Sequence, residues 1–145
     1  MKLAMMLPAK PGIQWKYAAQ LGVRYAITKA ACELSGRKDP SDLDSLCQIK
    51  KEFEKEGLLL YGLEGDQFDM NRIKLGLPGW EEDIERYKKM LENMGKLQIP
   101  LLCYNFMAGV GWYRTDYEIP ERGGALATGF SVDKAEKKKV IVTKE

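Results

Sequence analysis

The 145-residue chain contains no histidine. Imidazole is the usual general base near neutral pH and a common metal ligand, so neither a histidine-dependent catalytic triad nor a histidine-bearing zinc site can be built from this chain. Any chemistry must come from carboxylates, Tyr, Lys, Arg or Cys. Cysteine is scarce too: Cys32, Cys47 and Cys103 are an odd number, widely spaced, with no CxxC pattern. They read as reduced thiols in a cytoplasmic protein. An excess of one charge is also missing, because 23 Lys and Arg against 21 Asp and Glu leave +2, with a single dense basic run near the C-terminus. That balance makes no electrostatic case for nucleic acid and points at most to a neutral or modestly anionic small ligand.

No hydrophobic run is long enough to span a membrane. The apolar stretch at residues 1–7 is cut off by Pro8, Lys10 and Pro11, too early for a signal core, and the other apolar runs have strand length. A phosphate-binding loop is absent as well: neither GxGxxG nor GxxxxGK[ST] follows any apolar run. With 45% hydrophobic and 30% charged residues, the chain is an ordinary globular one of about a single domain's length.

Four apolar runs are present, at residues 3–7, 23–27, 58–63 and 99–107. Apolar on consecutive positions rather than alternating, they fit parallel strands covered on both faces. Between them lie helical periods. Trp80, Ile84, Tyr87, Leu91, Met94 and Leu97 recur at spacings of four and three, with acidic residues in the first turn, and predict an amphipathic helix over residues 80–97. Ser41-Asp-Leu-Asp44 after Pro40 has the form of a capping box, followed by a stripe of Leu43, Leu46, Cys47 and Phe53 that ends at Gly57. A shorter helix is expected over residues 13–21, between Gly12 and Gly22.

The strand and helix order calls for an α/β fold with a parallel sheet and crossover helices. A doubly wound sheet would fit the length but lacks its phosphate loop. The alternative is a partial (β/α)8 TIM barrel, for which four strands are half and a whole barrel needs about 250 residues. Residues 108–131 show no period and read as a long loop excursion in which Trp112, Tyr113 and Arg114 cluster. In the tail, residues 132–145, a helix could begin at 133–139 and residues 140–143 are strand-like.

Active sites of parallel α/β folds lie at the carboxyl ends of the strands, which singles out Thr28 and Lys29, Glu64 with Asp66 and Asp69, Tyr104 with Asn105, and the excursion. The three carboxylates could bind a divalent metal, hydrogen-bond a polyol or act as a base, or simply be solvated. Tyr104 and Asn105 interrupt an apolar run and are either a buried structural pair or a ligand-facing one. Arg114 and Asp116, beside Trp112, have the chemistry to grip the carboxylate and hydroxyls of a sugar acid, or to make a surface salt bridge.

The segment IKLGLP at residues 73–78, the run EEDIERYKKMLENMGKLQIPLLCYNFM ending at Met107, and GWYRTD at 111–116 closely resemble the N-terminal half of the mannonate dehydratase family. Weaker similarity extends through YAITKA at 25–30 and LYGLEG at 60–65, so the likeness covers about residues 1–130. The resemblance implies a xylose-isomerase-type TIM barrel that dehydrates D-mannonate to 2-keto-3-deoxy-D-gluconate in hexuronate catabolism, with a divalent metal, manganese or iron. It places Tyr104, Asn105, Trp112, Arg114, Thr115 and Asp116 on substrate-side segments and Glu64 at the acidic end of the third strand. The family's metal-binding Cys, His and Asp lie in its C-terminal half, so no metal ligand is expected in this chain. Two departures stand out: Asp69-Met70-Asn71-Arg72 precedes IKLGLP, and residues 107–111 read MAGVG.

The expected substrate is therefore a sugar acid, with the chain a truncated half that alone is inactive and self-associates or pairs with a C-terminal half. The competing readings are a xylose-isomerase-like sugar isomerase or epimerase, and a non-catalytic half-barrel assembly module.

Overall fold

A computed structural model describes residues 1–109 and 113–137. The strand expected at residues 140–143 lies outside them, as do Trp112 and the last two residues of the expected 133–139 helix. The chain divides into two compact units, Met1–Phe106 and Met107–Glu145.

The first unit alternates strand and helix: β1 (Ala4–Met6), α1 (Ile13–Gln20), β2 (Tyr25–Thr28), α2 (Cys32–Ser35), α3 (Leu43–Lys55), β3 (Leu59–Glu64), α4 (Asn71–Leu75), α5 (Trp80–Lys96) and β4 (Leu101–Cys103). The four strands form one parallel sheet in the order β1-β2-β3-β4, each beside its predecessor. A doubly wound sheet reverses its order and carries helices on both faces. Here α1, α3 and α5 contribute to one core: Trp15 and Ala18, Leu46, Ile49 and Phe53, and Met90 and Met94 pack with Ala26, Leu60 and Leu63 of the sheet. Sequential order with one helical layer is the winding of a (β/α)8 barrel, of which this unit is a four-stranded part.

The other face of the sheet is turned away from this core. There Tyr25 and Tyr61 meet edge to face, 5.3 Å between ring centres, and the Lys2 ammonium lies 4.5 Å from the Tyr61 ring centre. In a closed barrel this face is the interior.

All three crossover helices end the same way. After α1, Gly22 N–H donates to Ala19 O and Val23 N–H to Ala18 O; after α3, Gly57 donates to Glu54 and Leu58 to Phe53; after α5, Gln98 donates to Gly95 and Ile99 to Met94. These are Schellman turns, and each returns a buried residue, Val23, Leu58 or Ile99, to the core just before the next strand. The turn needs a positive φ, which Gly22 (73°), Gly57 (75°) and Gln98 (56°) supply.

Several local expectations shift. The α3 cap is Asp42 rather than Ser41, with Asp42 Oδ1 accepting from Ser45 N–H at 2.9 Å, because the helix starts one residue later. Its buried stripe includes Ile49, while Leu43 is exposed. On α5, Trp80 and Leu91 are exposed and the buried positions are Asp83, Met90, Asn93 and Met94. Two of these are polar: Asp83 pairs with Arg72, and Asn93 Nδ2 donates to Pro40 O and Ser41 O at 3.0 and 2.8 Å, while the buried Asn93 Oδ1 has no partner among the described residues. The fourth strand is shorter than its apolar run, since Pro100 precedes it and the ladder stops at Cys103.

Residues 108–131, expected as a loop excursion, contain an antiparallel pair, β5 (Asp116–Pro120) and β6 (Leu126–Gly129), and α6 (Val132–Lys137) follows where a helix was expected to begin. Most residues of β5 are exposed, so no alternation of buried apolar residues announced it. Gly129 ends β6 where a Cβ would crowd the tip of the Ile119 side chain.

Candidate functional site

Parallel strands present their carboxyl ends along one rim. Backbone and side-chain bonds lace this rim together: Leu7 N–H donates to Ile27 O at 2.9 Å, Thr28 Oγ1 donates to Leu7 O at 2.7 Å, and Gly65 N–H donates to Cys103 O at 2.9 Å. The buried Gln67 is the central tie. Its Oε1 accepts from Ala30 N–H at 2.8 Å and its Nε2 donates to Glu64 O and Gly65 O at 2.8 and 3.0 Å, joining the ends of β2 and β3. Thr28 is thus a structural residue, while Lys29 makes a partly exposed ion pair with Glu33.

Register places Glu64 opposite Cys103, so Glu64, Tyr104 and Asn105 share this rim. A cavity of about 260 Å³ opens at Tyr104 and Asn105, walled by Ile73, Ile84 and Phe106 with the two tyrosines Tyr87 and Tyr104; Glu64 does not line it. Its polar groups are Asp66, Lys74 and Asn105. The Lys74 side chain is only 4% exposed; its ammonium donates to both Asp66 oxygens, at 2.9 and 2.7 Å, and to Asn105 Oδ1 at 3.2 Å. Burial, then the neighbouring Tyr104 and Asp66, push the Tyr87 phenol above its usual range, so it stays a neutral hydroxyl.

The three carboxylates after β3 do not converge. Asp66 is taken by Lys74, Asp69 Oδ1 accepts from Asn71 N–H at 2.9 Å at the start of α4, and Glu64 is exposed. Among the described residues no three His, Cys, Asp or Glu side chains come together as a metal site, so these residues do not fit a divalent metal. The three cysteines are free.

In the second unit Arg114 Nε donates to Thr128 Oγ1 at 3.0 Å and its Nη1 to Tyr113 O at 2.9 Å. Asp116 accepts from Thr115 Oγ1 at 2.8 Å and pairs with Lys134, while the buried Thr115 hydroxyl accepts from Ser131 N–H at 2.9 Å. Trp112 is outside the described residues. Gln67 and Lys74 were missed by sequence reasoning, and no local signal marks them: a lone Gln in a loop and a lone Lys in a short helix both read as solvated.

No helix among the described residues is long and apolar enough to cross a membrane. The family model for D-mannonate dehydratase (UxuA) matches residues 12–144. The mannonate dehydratase of Brachyspira hyodysenteriae is 41% identical over 85 residues, 59% of this chain and 24% of that protein. That of Streptococcus equi subsp. zooepidemicus is 35% identical over 88 residues, 61% of this chain and 24% of that protein. The crystal structure of mannonate dehydratase from Streptococcus suis serotype 2 superposes with a TM-score of 0.74 at 26% identity, over 93% of this chain and 38% of that one. The chain thus spans about a quarter of the length of the curated relatives it matches. A family match over nearly the whole chain, on a sheet wound as a barrel segment, places this protein in the D-mannonate dehydratase family.

Proposed function

We propose that the chain supplies part of the substrate rim of a hydro-lyase that converts D-mannonate to 2-keto-3-deoxy-D-gluconate in the cytoplasm. The observation that carries this reading is the rim cavity, where Tyr104 and Asn105 follow β4 and meet Lys74 and Asp66 beside apolar and aromatic walls. Hydroxyl, amide and carboxylate groups side by side suit a polyol, whose hydroxyls donate and accept at once. Glu64, Tyr104, Asn105, Trp112, Arg114 and Asp116 are the proposed substrate-side residues, with the guanidinium of Arg114 suited to the sugar-acid carboxylate.

Loss of water from such an acid removes the proton beside the carboxylate and the hydroxyl on the next carbon. The manganese or iron of the whole enzyme would be held by residues outside this chain. The sheet face bearing Tyr25 and Tyr61 would be enclosed by further barrel strands, from a C-terminal half or a second copy.

Titration of the purified chain with D-mannonate, followed by NMR, tests the reading. Shifts should concentrate at Glu64, Tyr104 and Asn105. Shifts confined to residues away from the carboxyl rim would overturn it.

A further inference from the structure

Lys74 belongs to α4, away from the strand ends on which the substrate-side residues stand, and neither composition nor spacing marks it. Its surroundings are unusual. The side chain is nearly sealed from water, yet its ammonium is not idle: three N–H groups meet three acceptors, the two Asp66 oxygens and Asn105 Oδ1. With no lone pair free and every donor engaged, this nitrogen is neither a nucleophile nor a base.

Its effect on Asn105 follows from donor and acceptor chemistry. An ammonium only donates, so the amide must turn its oxygen to Lys74 and its NH2 to the opposite side. Asn105 is half-buried and lines the cavity, and its NH2 has no partner among the described residues. Asp66 is the second consequence. It is 37% exposed at the cavity, and without the ammonium its charge would face any bound anion across a partly desolvated gap.

Resting on the sugar-acid reading above, we infer that Lys74 is a positioning residue for an anionic polyol. It aims the Asn105 NH2 at a ligand hydroxyl and offsets the Asp66 charge, so that a carboxylate-bearing ligand is accepted at a rim already holding Glu64 and Asp66.

The test uses the full chain, Lys74→Met, and Lys74→Met combined with Asp66→Asn, the last leaving no carboxylate stripped of its partner to compromise folding. The first readout needs no ligand: hydrogen exchange and heteronuclear NOE of the Asn105 side-chain amide. In both variants this amide should lose its order, approaching the exposed Asn71, while the backbone spectrum of the strands is kept. The second compares D-mannonate with the neutral polyol D-mannitol. Lys74→Met should weaken D-mannonate about tenfold or more and D-mannitol less than about threefold, and adding Asp66→Asn should restore most of the D-mannonate affinity.

An Asn105 amide equally ordered in all three proteins would overturn the positioning role, whatever binds. Equal loss of both ligands in Lys74→Met, without recovery in the double variant, would overturn the charge-offset role and leave Lys74 a packing residue. If the unaltered chain binds neither ligand while the Asn105 amide loosens in Lys74→Met, the sugar-acid reading falls and the hold of Lys74 on Asn105 stands.

Discussion

Arg72 and Asp83 clasp across the corner between α4 and α5, with Arg72 Nε 2.6 Å from Asp83 Oδ2 and a terminal guanidinium nitrogen on Oδ1. The two parallel bonds match the planar fork of guanidinium to a carboxylate. They hold the Asp83 carboxyl below its ordinary range, against the opposing effect of burial. Arg72→Lys keeps the charge and loses the fork, so it should lower the melting temperature; Arg72→Met should lower it further, because it leaves the carboxylate of Asp83 without its partner. Gly79, at φ 89°, caps α5 where a Cβ would strike the Arg72 guanidinium, so Gly79→Ala should cost about 1–2 kcal/mol from the left-handed backbone alone. Thermal melts identical to the parent chain would show that the clasp adds nothing.

Gln98 occupies the position held by glycine in the other two helix-to-strand turns, at φ 56°. Gln98→Gly removes the steric cost of a Cβ there and adds the greater unfolded-chain entropy of glycine, for a net gain of about 0.5–1 kcal/mol. Urea unfolding should show a higher midpoint at unchanged slope. A lower midpoint would mean that the Gln98 side chain contributes more than the strain it causes.

Acid should unfold the chain through a small set of aspartates. Burial works to raise the Asp39 carboxyl, but hydrogen bonds from Arg86 and Ser41 outweigh it and leave it lowered; Asp42, bonded by Ser45 and Lys38, and Asp83 are lowered too. A carboxyl whose folded pKa is depressed binds its proton more readily when unfolded. Its contribution is therefore complete above about pH 4, the unfolded Asp range, and is lost as pH falls through the lower folded values. Melting temperature should fall steeply below that point, and less steeply in Asp39→Asn measured relative to its own plateau. The same acid slope in parent and variant would remove Asp39 from this set.

The chain alone should neither dehydrate D-mannonate nor gain stability from manganese, since the described residues offer no metal cluster and the sequence holds no histidine. Keto-acid formation can be followed by a coupled dehydrogenase assay and metal binding by a shift in melting temperature. Turnover, or a manganese-dependent rise of several degrees, would show a site assembled from residues not credited with one here.

The parts of the fold legible in the sequence are those governed by local pattern. Apolar runs located the strands, and Gly22 and Gly57 located two helix ends, because a Schellman turn writes its demand as a glycine. The third end was readable only from the decay of the α5 stripe, since Gln98 satisfies the same backbone with an unlikely residue. What stayed hidden depends on partners distant in sequence. Asp83 and Asn93 look solvated until Arg72 and the carbonyls of Pro40 and Ser41 are brought to them. Likewise strand ends alone singled out Glu64, Tyr104 and Asn105 as candidates on one rim, but Gln67 and Lys74 acquire meaning only when the rim closes around them.

The order β1-β2-β3-β4 has a consequence for how such a sheet comes into being. Synthesis runs from the N-terminus, and each of β2, β3 and β4, on leaving the ribosome, finds its hydrogen-bonding template already made. Nothing waits for a later segment to be threaded between two earlier ones. Growth is by addition at an edge, so the sheet can lengthen unit by unit, each helix sealing the strand before it, without dismantling what has formed.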